Sequence, residues 1–244
     1  MNRPSPTAPL AIAERIAELD WVAIAEALDA RGSATTGPLL TPSECQSLAA
    51  CYGDDGLFRS RIVMARHGFG SGEYKYFAYP LPEIVGGLRT GLYARLARVA
   101  NVWLARMGRE GDFPAEHAAF VARCHAAGQT RPTPLLLQYE AGDYNCLHQD
   151  LYGPTVFPIQ VAFLLSEPGV DFTGGEFVLV EQRPRMQSRP EVIALAQGEA
   201  VIFAVNERPV AGAKGDYRVK MRHGVSRLRS GRRHTLGVIL HDAA

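Results

Sequence analysis

From Thr133 onward the chain is a succession of short apolar runs cut by turn residues, and this spacing most narrows the folds open to it. The runs predict strands over 135–140, 145–151, 159–165, 176–182, 192–195, 200–205, 217–225 and 233–241, within about 110 residues. Turns such as Thr173-Gly174-Gly175 and Ser230-Gly231-Arg232 separate them. Many short strands at even spacing point to a sandwich or barrel rather than to a parallel sheet with crossover helices.

The preceding part has a different texture. Ile12, Ile16, Leu19, Val22, Ile24 and Leu28 recur at helical spacing, and Arg31-Gly32 ends that run, leaving 33–40 as a loop. Thr41-Pro42-Ser43-Glu44 is a capping-box start for a second helix. Leu88, Leu92, Leu96, Val99 and Trp103 form one stripe of a long helix over 83–107, and a further helix covers 114–127. Between them, 61–66 and 74–79 read as strands around the glycine-rich stretch 67–73. A phosphate-cradling loop needs a helix after its glycines, and here an aromatic strand follows, so a hairpin is expected. The fold class is therefore mostly β with flanking helices (α+β), the N-terminal helices packing on one sheet. One domain over 1–244 is expected, with 1–132 as helical support and aromatic hairpin and 133–242 as the β core.

Composition sets the compartment. With 47% hydrophobic and 21% charged residues the chain can bury a core, and no apolar stretch approaches the ~18 residues of a membrane span. The start, with three prolines and no basic-then-apolar pattern, gives no sign of export. Four cysteines without CxxC pairing suit a reducing cytoplasm, and no obligate protein partner is indicated. Charge is uneven: residues 1–180 hold 14 Lys/Arg against 19 Asp/Glu, whereas 181–233 hold 12 against 5. That imbalance suits either an anionic partner or a solvated basic face.

His148-Gln149-Asp150 places an imidazole and a carboxylate at i and i+2, on one face of a strand. His223 stands near the end of another predicted strand. Two histidines and one carboxylate form the facial triad of non-haem Fe(II), which leaves positions open for a bidentate co-substrate and O2. A closed zinc site would need a fourth ligand, and no nearby cysteine has suitable spacing. Ten residues past His223, Arg233 and Thr235 share a face, so a guanidinium fork and a hydroxyl can hold one carboxylate. A dicarboxylate that chelates iron at one end and meets arginine at the other is 2-oxoglutarate. By alternation Arg232 and His234 point away from it.

The set Tyr139-x-x-Gly142, His148-x-Asp150, Gly174-Gly175-Glu176, His223 and Gly231-x-Arg233-x-Thr235-Leu236 resembles the Fe(II)/2-oxoglutarate-dependent dioxygenase superfamily over roughly residues 133–242. The resemblance implies a double-stranded β-helix, or jelly roll. It maps His148, Asp150 and His223 to the iron ligands, Arg233 to the distal carboxylate of 2-oxoglutarate, and Thr235 and Tyr139 to positions assisting it. The segment Tyr139 to Asp150 is similar to AlkB-type nucleic-acid demethylases. The whole chain, through phrases such as Phe77-Ala78-Tyr79-Pro80-Leu81-Pro82 and Arg222-His223-Gly224-Val225-Ser226-Arg227, looks like a bacterial oxygenase family of oxidative demethylation of damaged DNA. Two departures exist. The ten-residue His–Arg spacing is that of prolyl-hydroxylase-like enzymes, and Leu137 stands where AlkB-type enzymes carry Asn.

Three functions follow: demethylation of alkylated DNA or RNA, hydroxylation of a protein side chain or small molecule with the same cofactors, and a non-catalytic jelly-roll binding module. The aromatics Phe69, Tyr74, Tyr76, Phe77 and Tyr79 suit either a lid that sandwiches a base or core packing. Arg183, Arg185 and Arg189 suit a phosphate-contacting loop or a solvated one. Cys146 shares the face of His148. His67, His117 and His125 lack partners at ligand spacing, and His241 beside Asp242 reads as a surface or edge residue.

Overall fold

The computed structural model describes residues 11–244; the proline-bearing start lies outside the described residues. The helices are α1 (Ile12–Glu18), α2 (Trp21–Arg31), α3 (Pro42–Ala50), α4 (Glu83–Arg106) and α5 (His117–Ala126). The strands are β1 (Ser33–Pro38), β2 (Phe58–Val63), β3 (Gly70–Ser71), β4 (Glu73–Phe77), β5 (Leu135–Glu140), β6 (Tyr144–His148), β7 (Ile159–Leu164), β8 (Phe172–Gly174), β9 (Phe177–Gln182), β10 (Arg189–Ile193), β11 (Glu199–Ala204), β12 (Glu207–Gly212), β13 (Gly215–Val225) and β14 (Leu228–Val238).

These strands make two antiparallel sheets. The larger runs β1-β11-β7-β14-β5-β4-β2, with β8 on the first part of β14; the smaller runs β10-β9-β13-β6-β3, with β12 on β13. Their inner faces meet through contacts such as Phe177 on Phe203, ring centroids 4.9 Å apart. The helices cover the larger sheet: α3 and α4 lie against β14, α2 against β1 and β11, and α1 on α4. One apolar cluster joins Leu88, Leu92 and Trp103 of α4 to Val161, Phe203 and Leu236 of the strands. This is the jelly roll with helices on one sheet that the sequence leads one to expect.

Several local expectations need correction. The run 12–28 is two helices, because Leu19 is extended and the Asp20 carboxylate restarts the helix by accepting the Ala23 N–H at 3.0 Å. The stretch after Gly32 is not a loop: β1 pairs with β11 on the sheet edge. Its Ser-Ala-Thr-Thr sequence carries no apolar alternation because the sheet supplies the partner. The turn expected at Ser230-Gly231-Arg232 lies inside β14, where Gly231, at φ +78°, sits against the Asp171 carbonyl with no room for a Cβ. β13 and β14 belong to different sheets, so the chain between them crosses the sandwich and does not close a hairpin. The predicted hairpin is present as β2–β4, and its tip, β3, pairs with β6 of the smaller sheet.

The pair His241-Asp242 is buried, contrary to the surface reading. Asp242 is fully enclosed and accepts from Arg89 at 2.6 Å, His125 at 2.8 Å and the Tyr79 hydroxyl at 3.0 Å. Arg89 also donates to the Ile239 carbonyl at 2.9 Å, which ties α4 to the end of β14. Asp242→Ala would leave the Arg89 guanidinium buried and unpaired, and should lower the unfolding free energy by about 3–5 kcal/mol in a urea titration.

His117 is also buried, with Nε2 donating to the Leu240 carbonyl at 2.9 Å. Burial pushes its pKa down to about 4. The unfolded chain titrates near 6.5, so the stabilisation is whole above about pH 6.5 and is lost as pH falls toward 4. The stability difference between the native protein and His117→Gln should shrink over that interval in denaturant titrations at stepped pH.

Candidate active site

His148 ends β6 and His223 lies directly opposite it on β13. Their ring centroids are 4.2 Å apart. Asp150 lies two residues past the end of β6, so its alignment with His148 comes from irregular backbone rather than from strand alternation. Its Oδ1 is 3.5 Å from His148 Nε2 and its Oδ2 is 3.4 Å from His223 Nε2. One ligand atom from each of the three residues falls within 4.8 Å of the others, the geometry of a shared ion.

Neighbours orient these groups. His148 Nδ1 donates to the Cys146 carbonyl at 2.8 Å, which turns the Nε2 lone pair toward the centre. His223 packs against the rings of Phe177 and Phe203, with centroid distances of 5.9 and 4.6 Å. The Tyr152 hydroxyl donates to Asp150 Oδ1 at 2.6 Å, and the Tyr76 hydroxyl donates to Tyr152 at 3.0 Å. Sequence alone marks Tyr76 only as a lid or core aromatic of the hairpin and gives Tyr152 no role. The i+2 spacing of Tyr152 from Asp150 was a signal, but it lies beyond the strand end where that rule loses force.

Burial works to raise the Asp150 pKa, but the two imidazoles outweigh it and hold the carboxyl well below its usual range. Burial works to lower the His148 pKa, and the Asp150 carboxylate reverses that, leaving it raised. His223 is lowered, by burial and by His148. The cluster therefore presents an ionised carboxylate and a His223 that stays neutral, ready to donate a lone pair.

Arg233 of β14 is buried while Arg232 is exposed and paired with Glu140 at 2.7 Å, the alternation expected of them. Arg233 Nη1 donates to Thr235 Oγ1 at 2.6 Å, and Nε has no partner. Among the described residues no carboxylate lies within ion-pair distance of it. Its Cζ stands 5.7 Å from the Tyr139 ring centroid, and the buried Tyr139 hydroxyl accepts from Asn145 at 3.4 Å. A buried cation without a counter-charge calls for an anionic ligand.

A single cavity of about 300 Å³ joins these groups. It is lined by His148, Asp150, His223, Arg233, Thr235 and Tyr139, with Phe69 and Leu147 also on its wall. Phe69 is half-exposed and stacks on His67 at 5.3 Å. Tyr74 lines the cavity too, whereas Tyr76 and Phe77 are buried, so the aromatic hairpin is part wall and part core. Cys146 is exposed on the cavity wall, and His234 turns away to Gln138. Arg183 and Arg189 are drawn to Glu181 at 2.6 and 3.5 Å, and Arg189 opens β10 rather than standing in a loop as expected.

The donor set passes the chemical test for a non-haem iron. Two imidazole nitrogens and one carboxylate oxygen suit Fe(II) and leave positions open. The unpaired Arg233 and its Thr235 hydroxyl suit a carboxylate.

Residues 72–243 match a family described as "Oxygenase, catalysing oxidative methylation of damaged DNA". The chain belongs to this Oxygenase-NA family. By that membership it is an oxygenase. It is 49% identical over 168 residues to the Mycobacterium tuberculosis proteins MT2286 (strain CDC 1551 / Oshkosh) and Rv2227 (strain ATCC 25618 / H37Rv), covering 69% of this chain and 72% of each of theirs. A Pseudomonas putida prolyl-4-hydroxylase superposes with a TM-score of 0.54 at 15% identity, covering 89% of this chain and 96% of its own. A 2OG-Fe(II) oxygenase family oxidoreductase from Burkholderia pseudomallei gives 0.53 at 17%, covering 93% and 94%. A Trichoplax adhaerens prolyl hydroxylase gives 0.57 at 14%, covering 92% and 89%. At such identities these three share the fold.

The electrostatics of this oxygenase are open to direct measurement. In metal-free protein, Asp150→Asn should lower the His148 pKa, because the carboxylate that offsets burial is then gone. An NMR titration of the imidazole reads the change.

Proposed function

We propose that this oxygenase removes N-linked methyl groups from alkylated nucleic acid. In this reading His148, Asp150 and His223 hold Fe(II), and Arg233 with Thr235 holds the distal carboxylate of 2-oxoglutarate, Tyr139 packing beside it. The observation that carries it is the juxtaposition of an open two-histidine, one-carboxylate cluster and an unpaired buried arginine in one cavity.

With its co-substrates the iron supplies hydroxylation of a C–H bond, coupled to oxidative decarboxylation of 2-oxoglutarate to succinate and CO2. The chain's residues do the rest. Tyr152 and Cys146 fix the orientation of Asp150 and His148, and Phe177 and Phe203 keep water from the His223 side. The hydroxylated product of an N-methyl group is a hemiaminal, which breaks its C–N bond to release formaldehyde and return the N–H. The nucleic-acid substrate is supported by the family description and by Phe69 and Tyr74 on the cavity wall, where a flipped base can stack. The four free cysteines and the lack, among the described helices, of one long and apolar enough to cross a membrane fit the cytoplasm. We also take the helices and the β core as one domain, since a single apolar cluster runs through both.

A second reading keeps the cofactors and hydroxylates a protein side chain or small molecule. The ten-residue spacing from His223 to Arg233 and the prolyl hydroxylases among the fold relatives favour it. The non-catalytic alternative does not survive membership of an oxygenase family. Incubation with Fe(II) and 2-oxoglutarate against methylated DNA, RNA and peptide pools separates the two. Formaldehyde with succinate from methylated oligonucleotides supports the first, and a stable hydroxylated peptide or metabolite replaces it with the second. His223→Ala should yield neither product.

Arg233→Lys keeps a charge but loses the planar fork. It should raise the 2-oxoglutarate concentration needed for half-maximal turnover roughly ten- to a thousand-fold, since a charge-assisted pair contributes on the order of 1.5–3 kcal/mol and burial adds weight. Arg232→Lys, on the exposed side, should leave that requirement nearly unchanged.

A further inference from the structure

β13 has two different faces. Val219, Met221 and His223 are buried between the sheets, and Arg218, Lys220 and Arg222 alternate with them as exposed residues on the outer face. Two strand rises separate successive cations by about 6.8 Å, the order of the distance between neighbouring phosphates along one nucleic-acid strand. The acids nearest to the row are already engaged. Asp216, on the same face, is paired with Arg106 at 2.7 Å, and Glu207, opposite Lys220, is paired with Arg109. Among the described residues Arg218, Lys220 and Arg222 form no ion pair; the one side-chain bond of the three is from Arg222 Nε to Gln182 at 3.3 Å.

The remainder of that face is uncharged. Val180 and Val178 of β9, Pro190 and Val192 of β10, and Pro209 of β12 stand beside the row in the sheet register. The row also leads to the cavity, because His223, Gly224 and Val225, the next residues of β13, line it.

We propose that Arg218, Lys220 and Arg222 form a track for the phosphodiester backbone of a single nucleic-acid strand, with one strand of the sheet holding the phosphates outside and presenting the iron ligand inside. This rests on the nucleic-acid reading above and adds where the backbone runs. The occupant is a polyanion of regular spacing. Contacts of this kind position the strand without reading its sequence, so the track serves any sequence that carries a damaged base.

The test replaces all three residues by Gln and measures binding of a fluorescein-labelled unmethylated single-stranded oligonucleotide across a salt titration. Turnover of the same enzyme on a methylated mononucleoside, which has no backbone, is measured in parallel, with the thermal midpoint as a check on folding. Loss of three phosphate contacts should flatten the log–log salt slope by about 2 and weaken binding roughly ten- to a hundred-fold at low salt. The thermal midpoint and mononucleoside turnover should stay unchanged. Oligonucleotide binding that is absent in the native protein, or equal in the two proteins, overturns the track. So does a substitution effect on heparin or on phosphatidylserine vesicles with none on the oligonucleotide. Methylated oligonucleotide turned over equally by both proteins, with binding equal, overturns the track and leaves the catalytic reading standing. Binding that depends on the row, in an enzyme that demethylates neither oligonucleotide nor mononucleoside, supports the track and removes the demethylase assignment.

Discussion

The position of Arg233 depends on β14 being hydrogen-bonded along both of its edges. β5 pairs with Arg232 through Gly237 on one side, β7 with Thr235 through Val238 on the other, and β8 holds the first part of the strand. A strand gripped in this way cannot slip by one residue without turning every side chain to the wrong face. Arg233 and Thr235 are thus fixed in the cavity by backbone ladders, and their side chains contribute little to the register. The same strand carries Leu236 and Val238 into the core, so the pocket and the hydrophobic centre share one scaffold.

Three arginines are buried among the described residues, and the structure treats them differently. Arg89 meets Asp242, and Arg208 meets Glu181, each inside a shell of further hydrogen bonds. Arg233 alone of these is left with a hydroxyl and aromatic rings. Satisfied pairs hold elements in place: α4 against the end of β14 in one case, and the C-terminus of α2 against β12 in the other. An unsatisfied one raises the cost of an empty pocket and favours an anionic ligand.

The sequence made the His148–Asp150 pair and Arg233 legible because both rest on short-range spacing, whereas His223, 73 residues past Asp150, joins them through the pairing of β13 with β6. His148 and Asp150 stand two apart, Arg232 and Arg233 alternate, and the bounds of β5 agree to the residue. What was hidden depends on distant partners. Ser33–Pro38 has no apolar alternation, and only the presence of β11 makes it a strand. The burial of Asp242 follows from residues at 79, 89 and 125, none of them near it in the chain. The break at Asp20 was masked because Ile16, Leu19, Val22 and Ile24 keep helical spacing across it. Tyr152 escaped for a related reason: strand geometry stops at His148, and the loop alone brings its hydroxyl to Asp150.

The cavity takes its two ends from two different sheets. His148 and His223 belong to the smaller one, whereas Arg233, Thr235 and Tyr139 belong to the larger. Interleaved side chains such as Phe177 and Phe203 set the spacing between them at the roughly 10 Å of any packed β-sandwich. On the assignment proposed above, the thickness of the sandwich is a ruler for the co-substrate. The number of carbons between its two carboxylates is read by the packing of the core, so a core residue far from either carboxylate helps decide which diacid fits.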